Sequence, residues 1–195
     1  MRKMAALTGV LVAWALSGEA LAGGNLVVNG GFETGDFSDW NYTSVDDFSF
    51  VGTKFVHSGS YAAFFGDLQQ DGGGSISQSL ATNIGTTYAL SFWFAGNGDS
   101  PSGFSATVGG NTVYKVTDPP YDADYKLYTF DFTATASSTL LKFTEYDNVS
   151  YINLDDVSVV TASSVPEPTS MIPLGIGMAT LVGYISYRRR ALADH

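Results

Sequence analysis

Two adjacent carboxylates near the end of the folded part of the sequence are the residues best placed to do chemistry. They lie in the alternating stretch Tyr151–Val159. Regular alternation puts Asp155 on the same face as Val157 and Val159. If that face is the core, Asp155 must be paired or metal-bound, because an isolated buried charge is prohibitively costly. If the strand contains a bulge or lies at a sheet edge, Asp155 turns to water instead.

The composition favours a hard cation, rather than a basic side chain, as the partner of Asp155. Residues 23–162 contain 16 Asp and Glu against four Lys and no Arg, which gives a formal charge of −12. The chain has no Cys, so a disulfide framework, a thiolate zinc site and a cysteine nucleophile are excluded. Oxygen ligands without Cys or zinc-spaced His predict calcium. The acidic surface also repels nucleic acid phosphates.

The residues needed for catalysis form no recognisable pattern. His57 is the only histidine in residues 23–162, it lies in a predicted loop, and no G-x-S-x-G motif occurs. Three carboxylate pairs could in principle serve as the acid and base of a glycosidase, but nothing distinguishes them from surface charge: Asp46–Asp47, Asp122/Asp124 and Asp155–Asp156. The sequence therefore predicts a protein that is not an enzyme, with a glycoside hydrolase as the weaker alternative.

An outward-facing tryptophan is the main candidate for ligand binding. Trp93 alternates with Phe92 and Phe94, so it points away from the side that those rings bury. Aromatic rings stack on apolar sugar faces, and polar side chains bind the hydroxyl groups. The alternative is that a loop covers Trp93 or that both faces of the sheet are buried. The candidate companions of Trp93 are Tyr114, Tyr121, Tyr125 and Gln69–Gln70, whereas Trp40 is expected in the core.

The elements that must position these residues are short strands. Gly, Asn, Asp and Pro separate eleven segments that favour strands, and no segment shows a helical period. Gly109-Gly110-Asn111 predicts a hairpin turn. The fold class is therefore all-β, an antiparallel β-sandwich or jelly roll. The predicted strands are 26–28, 40–44, 48–51, 60–65, 75–80, 88–95, 104–108, 112–116, 125–134, 138–146 and 151–160.

Both ends of the 195-residue chain differ from this middle part. Residues 1–22 carry Arg2 and Lys3, an apolar run and a small-residue end, a pattern typical of a secretory signal peptide. The uncharged residues 169–187 have the length of one membrane-spanning helix, about 28 Å at about 1.5 Å per residue. The basic tail 188–195 predicts that this end stays in the cytoplasm. The β-sandwich domain then occupies residues 23–162, outside the membrane.

The C-terminal pattern resembles a known sorting signal. Val-Pro-Glu-Pro at 165–168, an apolar span and an arginine cluster occur in order, as in the PEP-CTERM tails that exosortases recognise in Gram-negative bacteria that make exopolysaccharide. The resemblance implies a recognition motif of Pro166, Glu167 and Pro168 in the linker 163–168, followed by Arg188, Arg189 and Arg190. It also implies export through the translocon and signal peptidase, a transient anchor in the inner membrane, and a final place at the cell surface or in the extracellular matrix.

A second resemblance covers most of residues 23–160. The opening stretch 25–40, His57-Ser58-Gly59 with the residues that follow, and the closing strand 152–159 are similar to carbohydrate-binding modules of the galactose-binding-domain-like superfamily. The resemblance implies a jelly roll in which a structural calcium ties the first and last strands together. By matching position its ligands are the carbonyl of Gly31, Glu33, backbone oxygens of His57 and Ser58, and Asp155, with Asp156 as the substitute if a bulge shifts the register.

These resemblances imply an exported protein of a biofilm or exopolysaccharide matrix that binds carbohydrate. The alternative is a structural or adhesive matrix protein that has no affinity for glycans.

Overall fold

The computed structural model describes residues 24–44 and 46–162, which form ten β-strands and one 3₁₀ turn at Gln69–Asp71. The predicted signal peptide, linker, spanning helix and basic tail lie outside the described residues. Within the described part, no helix is long and apolar enough to cross a membrane. The strands are β1 Asn41–Thr43, β2 Phe50–Gly52, β3 Ala62–Phe65, β4 Gly74–Ala81, β5 Thr87–Ala95, β6 Ser102–Val108, β7 Asn111–Thr117, β8 Lys126–Thr133, β9 Ser138–Asp147 and β10 Ile152–Thr161.

Two antiparallel five-stranded sheets form a β-sandwich. Sheet A has the strand order β1-β4-β9-β6-β7, and sheet B has the order β2-β3-β10-β5-β8. Rings from the two inner faces meet in the core. The ring centroids of Phe92 in β5 and Phe143 in β9 are 5.3 Å apart, and those of Phe94 and Phe104 are 4.5 Å apart. The alternating apolar residues of each strand supply this core, because one face of each sheet is buried. The predicted all-β antiparallel sandwich is confirmed.

The opening segment differs from the prediction, because residues 26–28 form no strand. The N–H of Leu26 donates to the carbonyl of Val159 at 2.8 Å. The side-chain Oδ1 of Asn25 then accepts from the N–H groups of Val27 (3.0 Å) and Val159 (2.9 Å). An asparagine side chain therefore replaces part of a strand ladder. Trp40 ends this segment in the core, as predicted.

A β-bulge in β10 corrects the predicted face of Asp155. Asp155 pairs with Trp93 and Ser158 pairs with Ser91, so two residues of β10 oppose Phe92 alone. Asp156, at the bulge, has a φ of 47°. The prediction that Asp155 shares a face with Val157 was wrong, because the bulge resets the alternation. Asp155 lies on the outer face of sheet B with Trp93, yet it is fully buried.

A pair of buried carboxyl groups lies at one end of the sandwich. Glu145 of β9 and Asp67 are 1% and 0% exposed, and a side chain at Gly74 would collide with both. Asp67 Oδ1 accepts from the N–H of Phe48 at 2.9 Å, and Glu145 Oε1 accepts from the hydroxyl of Ser49 at 3.0 Å. Burial, with a further contribution from Asp67, raises the pKa of Glu145 to about 9. Glu145 is therefore protonated at neutral pH.

This raised pKa predicts that the free energy of unfolding falls as pH rises. Between the ordinary value of 4.5 and about 9, the folded protein holds a proton on Glu145 that the unfolded chain releases. Glu145→Gln removes this proton, so we expect a higher melting temperature than wild type at about pH 8.5 and a flatter profile between about pH 6.5 and 9.

Thermal unfolding followed by circular dichroism measures both quantities. The exposed Asp131 of β8 provides the control, because Asp131→Asn should keep the wild-type slope. Parallel wild-type and Glu145→Gln profiles would show that Glu145 does not carry the proton.

Candidate functional site

Two carboxylates at the bulge of β10 hold the β2–β3 loop, residues 53–61. Asp155 Oδ2 accepts from the N–H groups of His57 (2.9 Å) and Ser58 (3.3 Å). Asp156 Oδ2 lies 2.6 Å from His57 Nδ1, and its Oδ1 accepts from the Ser58 hydroxyl at 2.9 Å. Backbone N–H groups of this loop therefore face Asp155, whereas the resemblance implied backbone oxygens.

The opening loop, residues 24–40, joins the same cluster. The carboxylate of Glu33 accepts from the N–H of Ser60 at 2.9 Å. A Cβ on Gly31 would lie 3.3 Å from Asp156 Oδ1 and 3.9 Å from Asp155 Oδ1, so the glycine lets the opening loop approach these carboxylates closely. The structure thus brings together the six residues for which the sequence predicted a metal site. We call them the clasp: Gly31, Glu33, His57, Ser58, Asp155 and Asp156.

The electrostatics of the clasp favour a cation. Burial raises the pKa of Asp155 to about 6, and the charge of Asp156 adds to the rise. The ion pairs among residues 24–44 and 46–162 are His57–Asp156 and Lys126–Asp122, so Asp155 has no lysine partner there. In the same residues no three His, Asp or Glu side chains converge closely enough to hold a metal ion alone. A cation at the clasp would therefore also need backbone oxygens, which calcium accepts.

The predicted aromatic platform is partly covered. Trp93 points outward from sheet B, but its ring stacks on His57 with centroids 3.7 Å apart and an interplanar angle of 18°. Tyr125 packs edge-on against the same imidazole at 5.6 Å, and its hydroxyl donates to the carbonyl of Phe55 at 2.8 Å. Tyr121 is 72% exposed and borders a small cleft of about 150 Å³ that Phe55 also lines. A loop thus covers one face of Trp93, as in the alternative interpretation.

The structure does not place Tyr114 near this aromatic group. Tyr114 of β7 packs between the sheets, with its ring 4.5 Å from Tyr128 and 6.0 Å from Phe92. Burial raises the pKa of Tyr114 above its ordinary value. Its ring contributes to the core, whereas Trp93 lies on the outer face of sheet B.

The outer face of sheet A carries a larger groove, of about 420 Å³. Tyr146 of β9 is half-buried and pairs in register with Gly103 of β6. The ring atoms Cε1 and Cζ of Tyr146 lie 2.5 and 2.6 Å from the point that a Cβ of Gly103 would occupy. The ring can therefore lie along the sheet only because residue 103 is glycine. The groove also contains donors and acceptors from Gln69, Ser105, Lys115, Thr117 and Thr144.

Alternation along β9 already indicates the outward position of Tyr146 in the sequence. In β9, Leu141, Phe143 and Glu145 are buried, so the period of two puts Tyr146 on the outer face. Gln69, predicted as a companion of Trp93, lines the groove on sheet A instead. The register that sets Tyr146 opposite Gly103 is a long-range feature, which alternation within one strand cannot reveal.

Two of the carboxylates that could serve as acid or base, Asp122 and Asp46, accept hydrogen bonds from loop N–H groups. Asp122 pairs with Lys126 and accepts from the N–H of Gly96 at 3.2 Å. Asp46 accepts from the N–H of Leu68 at 2.7 Å. Among the described residues, those that line the groove on sheet A include no Asp, Glu or His. The groove is thus suited to binding, and it lacks side chains that act as acid and base in glycosidases.

The β-sandwich is similar in fold to those of solved carbohydrate-binding modules. No family model and no curated protein matches the chain. The chain is similar to TmCBM61, solved with β-1,4-galactotriose (21% identity over 71% of this chain and 99% of the module, TM-score 0.57). It is also similar to the CBM22-1 xylan-binding domain of Xyn10C from Paenibacillus barcinonensis (18% identity, 74% and 99% covered, TM-score 0.52).

The same fold also occurs in an enzyme. A cyclase from Fischerella sp. TAU matches with 17% identity, 72% of this chain and 98% of the cyclase covered, and a TM-score of 0.54. Because folds host several functions, the similarity establishes the architecture, and the activity must be argued from the site.

Proposed function

We propose that this chain is a non-enzymatic carbohydrate-binding protein whose groove on sheet A receives the glycan. The observation that carries the proposal is the ring of Tyr146 lying over Gly103 in a groove of about 420 Å³. An aromatic ring beside hydroxyl, amide and ammonium groups matches the two requirements of a sugar, an apolar face and hydroxyls. Related folds that bind β-1,4-galactotriose and xylan support this ligand class.

The groove is a better candidate than the Trp93 surface predicted from the sequence. His57 covers one face of Trp93, and the cleft beside Tyr121 has about a third of the volume of the groove. Ligand clefts usually measure about 300–1,000 Å³. The groove on sheet A is in that range, whereas the Tyr121 cleft is below it.

Removing the Tyr146 ring is expected to weaken glycan binding about tenfold or more, equivalent to about 1.4 kcal/mol, because the stacking surface is lost. Affinity gels containing xylan and β-1,4-galactan, followed by titration with the matching oligosaccharides, measure the effect for Tyr146→Ala in the full-length protein. Gly103→Ala should also weaken binding, because a Cβ displaces the ring.

The matched control is Tyr121→Ala, which removes an exposed tyrosine from the other cleft and should leave affinity unchanged. A loss with Tyr121→Ala alone would assign binding to the loop end instead. If the folded wild-type protein is retained on none of the glycans, a structural or adhesive role without glycan affinity replaces the proposal.

We further propose a structural calcium at the clasp. The buried Asp155, the neighbouring Asp156 and the close approach of the Gly31 backbone to both carboxylates support a cation with oxygen ligands. Glu33 and backbone oxygens would complete its coordination. Bound calcium would neutralise carboxylates that no described lysine pairs with, and it would hold the opening loop and the β2–β3 loop against β10.

Calcium at about 100 times its dissociation constant should add about 2.7 kcal/mol to the free energy of unfolding. Thermal unfolding of the full-length protein in calcium and in chelator measures this increment. Asp155→Asn should lose most of it, while the exposed control Asp131→Asn should retain it. Equal melting temperatures of the wild-type protein in calcium and chelator would rule out the site.

The sequence of the two ends supports a proposed route to the site of action. We propose export with loss of residues 1–22, transient anchoring through 169–187 and recognition of Pro166-Glu167-Pro168 by an exosortase, which leads to the cell surface or the exopolysaccharide matrix. Mass spectrometry of the exported protein tests this route. A product without residues 1–22 that ends near residue 168 is expected, and a product that retains Met1 contradicts it.

A further inference from the structure

The outer face of sheet B carries a second cleft, at the edge formed by β2. The cleft measures about 310 Å³. Phe50 of β2 and Phe64 of β3 pair in register, and their rings are nearly parallel, 5.0 Å apart with an interplanar angle of 7°. A Cβ on Gly52 would lie 3.0 Å from the Phe50 ring and 3.1 Å from the Phe64 ring. Glycine at residue 52 therefore keeps the cleft open beside both rings.

The rings at this edge are exposed to an unusual degree for a sheet surface. Phe50 is 44% exposed, and its neighbours Phe48 and Tyr151 are 50% and 37% exposed. The ring of Tyr151 packs edge-on against the ring of Phe50, with centroids 5.1 Å apart, so these two rings hold each other in place. Clusters of exposed aromatic side chains mark binding surfaces, because leaving apolar rings in water does not stabilise the folded domain.

The second cleft repeats the chemistry of the groove on sheet A. Each combines an aromatic ring next to a glycine with a threonine hydroxyl and a lysine ammonium group. In the groove these are Tyr146, Gly103, Thr117 and Lys115, and in the cleft they are Phe50 with Phe64, Gly52, Thr53 and Lys54.

The placement of the lysines strengthens this parallel. Residues 23–162 contain only four lysines. Lys126 pairs with Asp122. Of the other three lysines, Lys54 lines the cleft at the β2 edge and Lys115 lines the groove on sheet A. In a domain with a formal charge of −12, cationic donors are scarce. Their position beside rings and hydroxyl groups favours a ligand that needs both stacking and hydrogen-bond donors.

We infer that the cleft at the β2 edge is a second carbohydrate site, which takes one pyranose ring of a neutral polysaccharide. The inference rests on the proposed function. The sugar ring packs against the aromatic wall that the stacked rings of Phe50 and Phe64 form, and its hydroxyls bind Thr53 and Lys54. Because the groove and the cleft lie on the outer faces of opposite sheets, one domain binds two polysaccharide chains and cross-links them.

The test is the stoichiometry of oligosaccharide binding to the full-length protein. Calorimetric titration with xylohexaose and with β-1,4-galactotriose should give two sites in wild type. Phe50→Ala should remove the site at the β2 edge or weaken it at least tenfold. Lys54→Gln should have the same effect, and it carries less risk to folding because Lys54 is exposed. Tyr146→Ala should remove the other site. Ile84→Ala, which truncates an apolar residue that is 71% exposed elsewhere, is the control and should retain both.

Cross-linking provides an independent readout. Wild type should increase the turbidity or viscosity of soluble xylan or β-1,4-galactan, and each single-site variant should abolish the increase while still binding. A single wild-type site that Tyr146→Ala removes, and that Phe50→Ala and Lys54→Gln leave intact, would overturn the second site and uphold the proposed function. A single wild-type site that Phe50→Ala removes and Tyr146→Ala retains would support binding in the cleft at the β2 edge and overturn binding in the groove on sheet A. No binding by folded wild type overturns both.

Discussion

The loops of this sandwich depend on carboxylates that accept hydrogen bonds from backbone N–H groups. With four lysines and no arginine in residues 23–162, buried acids have few cationic partners, and an unpaired buried charge is costly. Backbone N–H groups therefore supply much of the stabilisation that basic side chains would otherwise give these acids. Asp155 binds N–H groups of the β2–β3 loop, and Asp67 binds those that lead into β2. Glu33 and Asp147 act in the same way on residues 60–61 and 149–150.

This constraint connects the composition to the binding surfaces. Carboxylates that bind loop amides fix the loops, and the lysines stay available for the proposed binding sites on the outer faces of the sheets. The lysines that are not used in the described ion pairs include the two that line the groove and the cleft. Glu145 is an exception: its Oε2 is buried without a partner among residues 24–44 and 46–162, and its carboxyl group remains protonated instead.

Alternation within single strands, with the turn residues between them, predicted the all-β fold and the outward position of Trp93. It failed where a side chain or a bulge replaced regular pairing. Asn25 substitutes for a strand ladder at residues 26–28, and the bulge at Asp156 moves Asp155 to the other face. Contacts such as His57 on Trp93 or Tyr146 over Gly103 join residues that are distant along the chain, so no local pattern reveals them. The clasp was found from matched motifs, since spacing alone left the face of Asp155 open.

The most direct test of this dependence is the stability of Asp155→Ala. The substitution leaves the N–H groups of the half-buried His57 and the exposed Ser58 without their acceptor, and it removes the buried carboxylate that binds them. Denaturant unfolding in the presence of chelator should show a loss of about 2–3 kcal/mol, against about 0.5 kcal/mol or less for the exposed Asp131→Ala. Hydrogen exchange should accelerate at the amides of the β2–β3 loop. Equal stability and unchanged exchange in the two variants would contradict the account that carboxylate–amide bonds hold the loops.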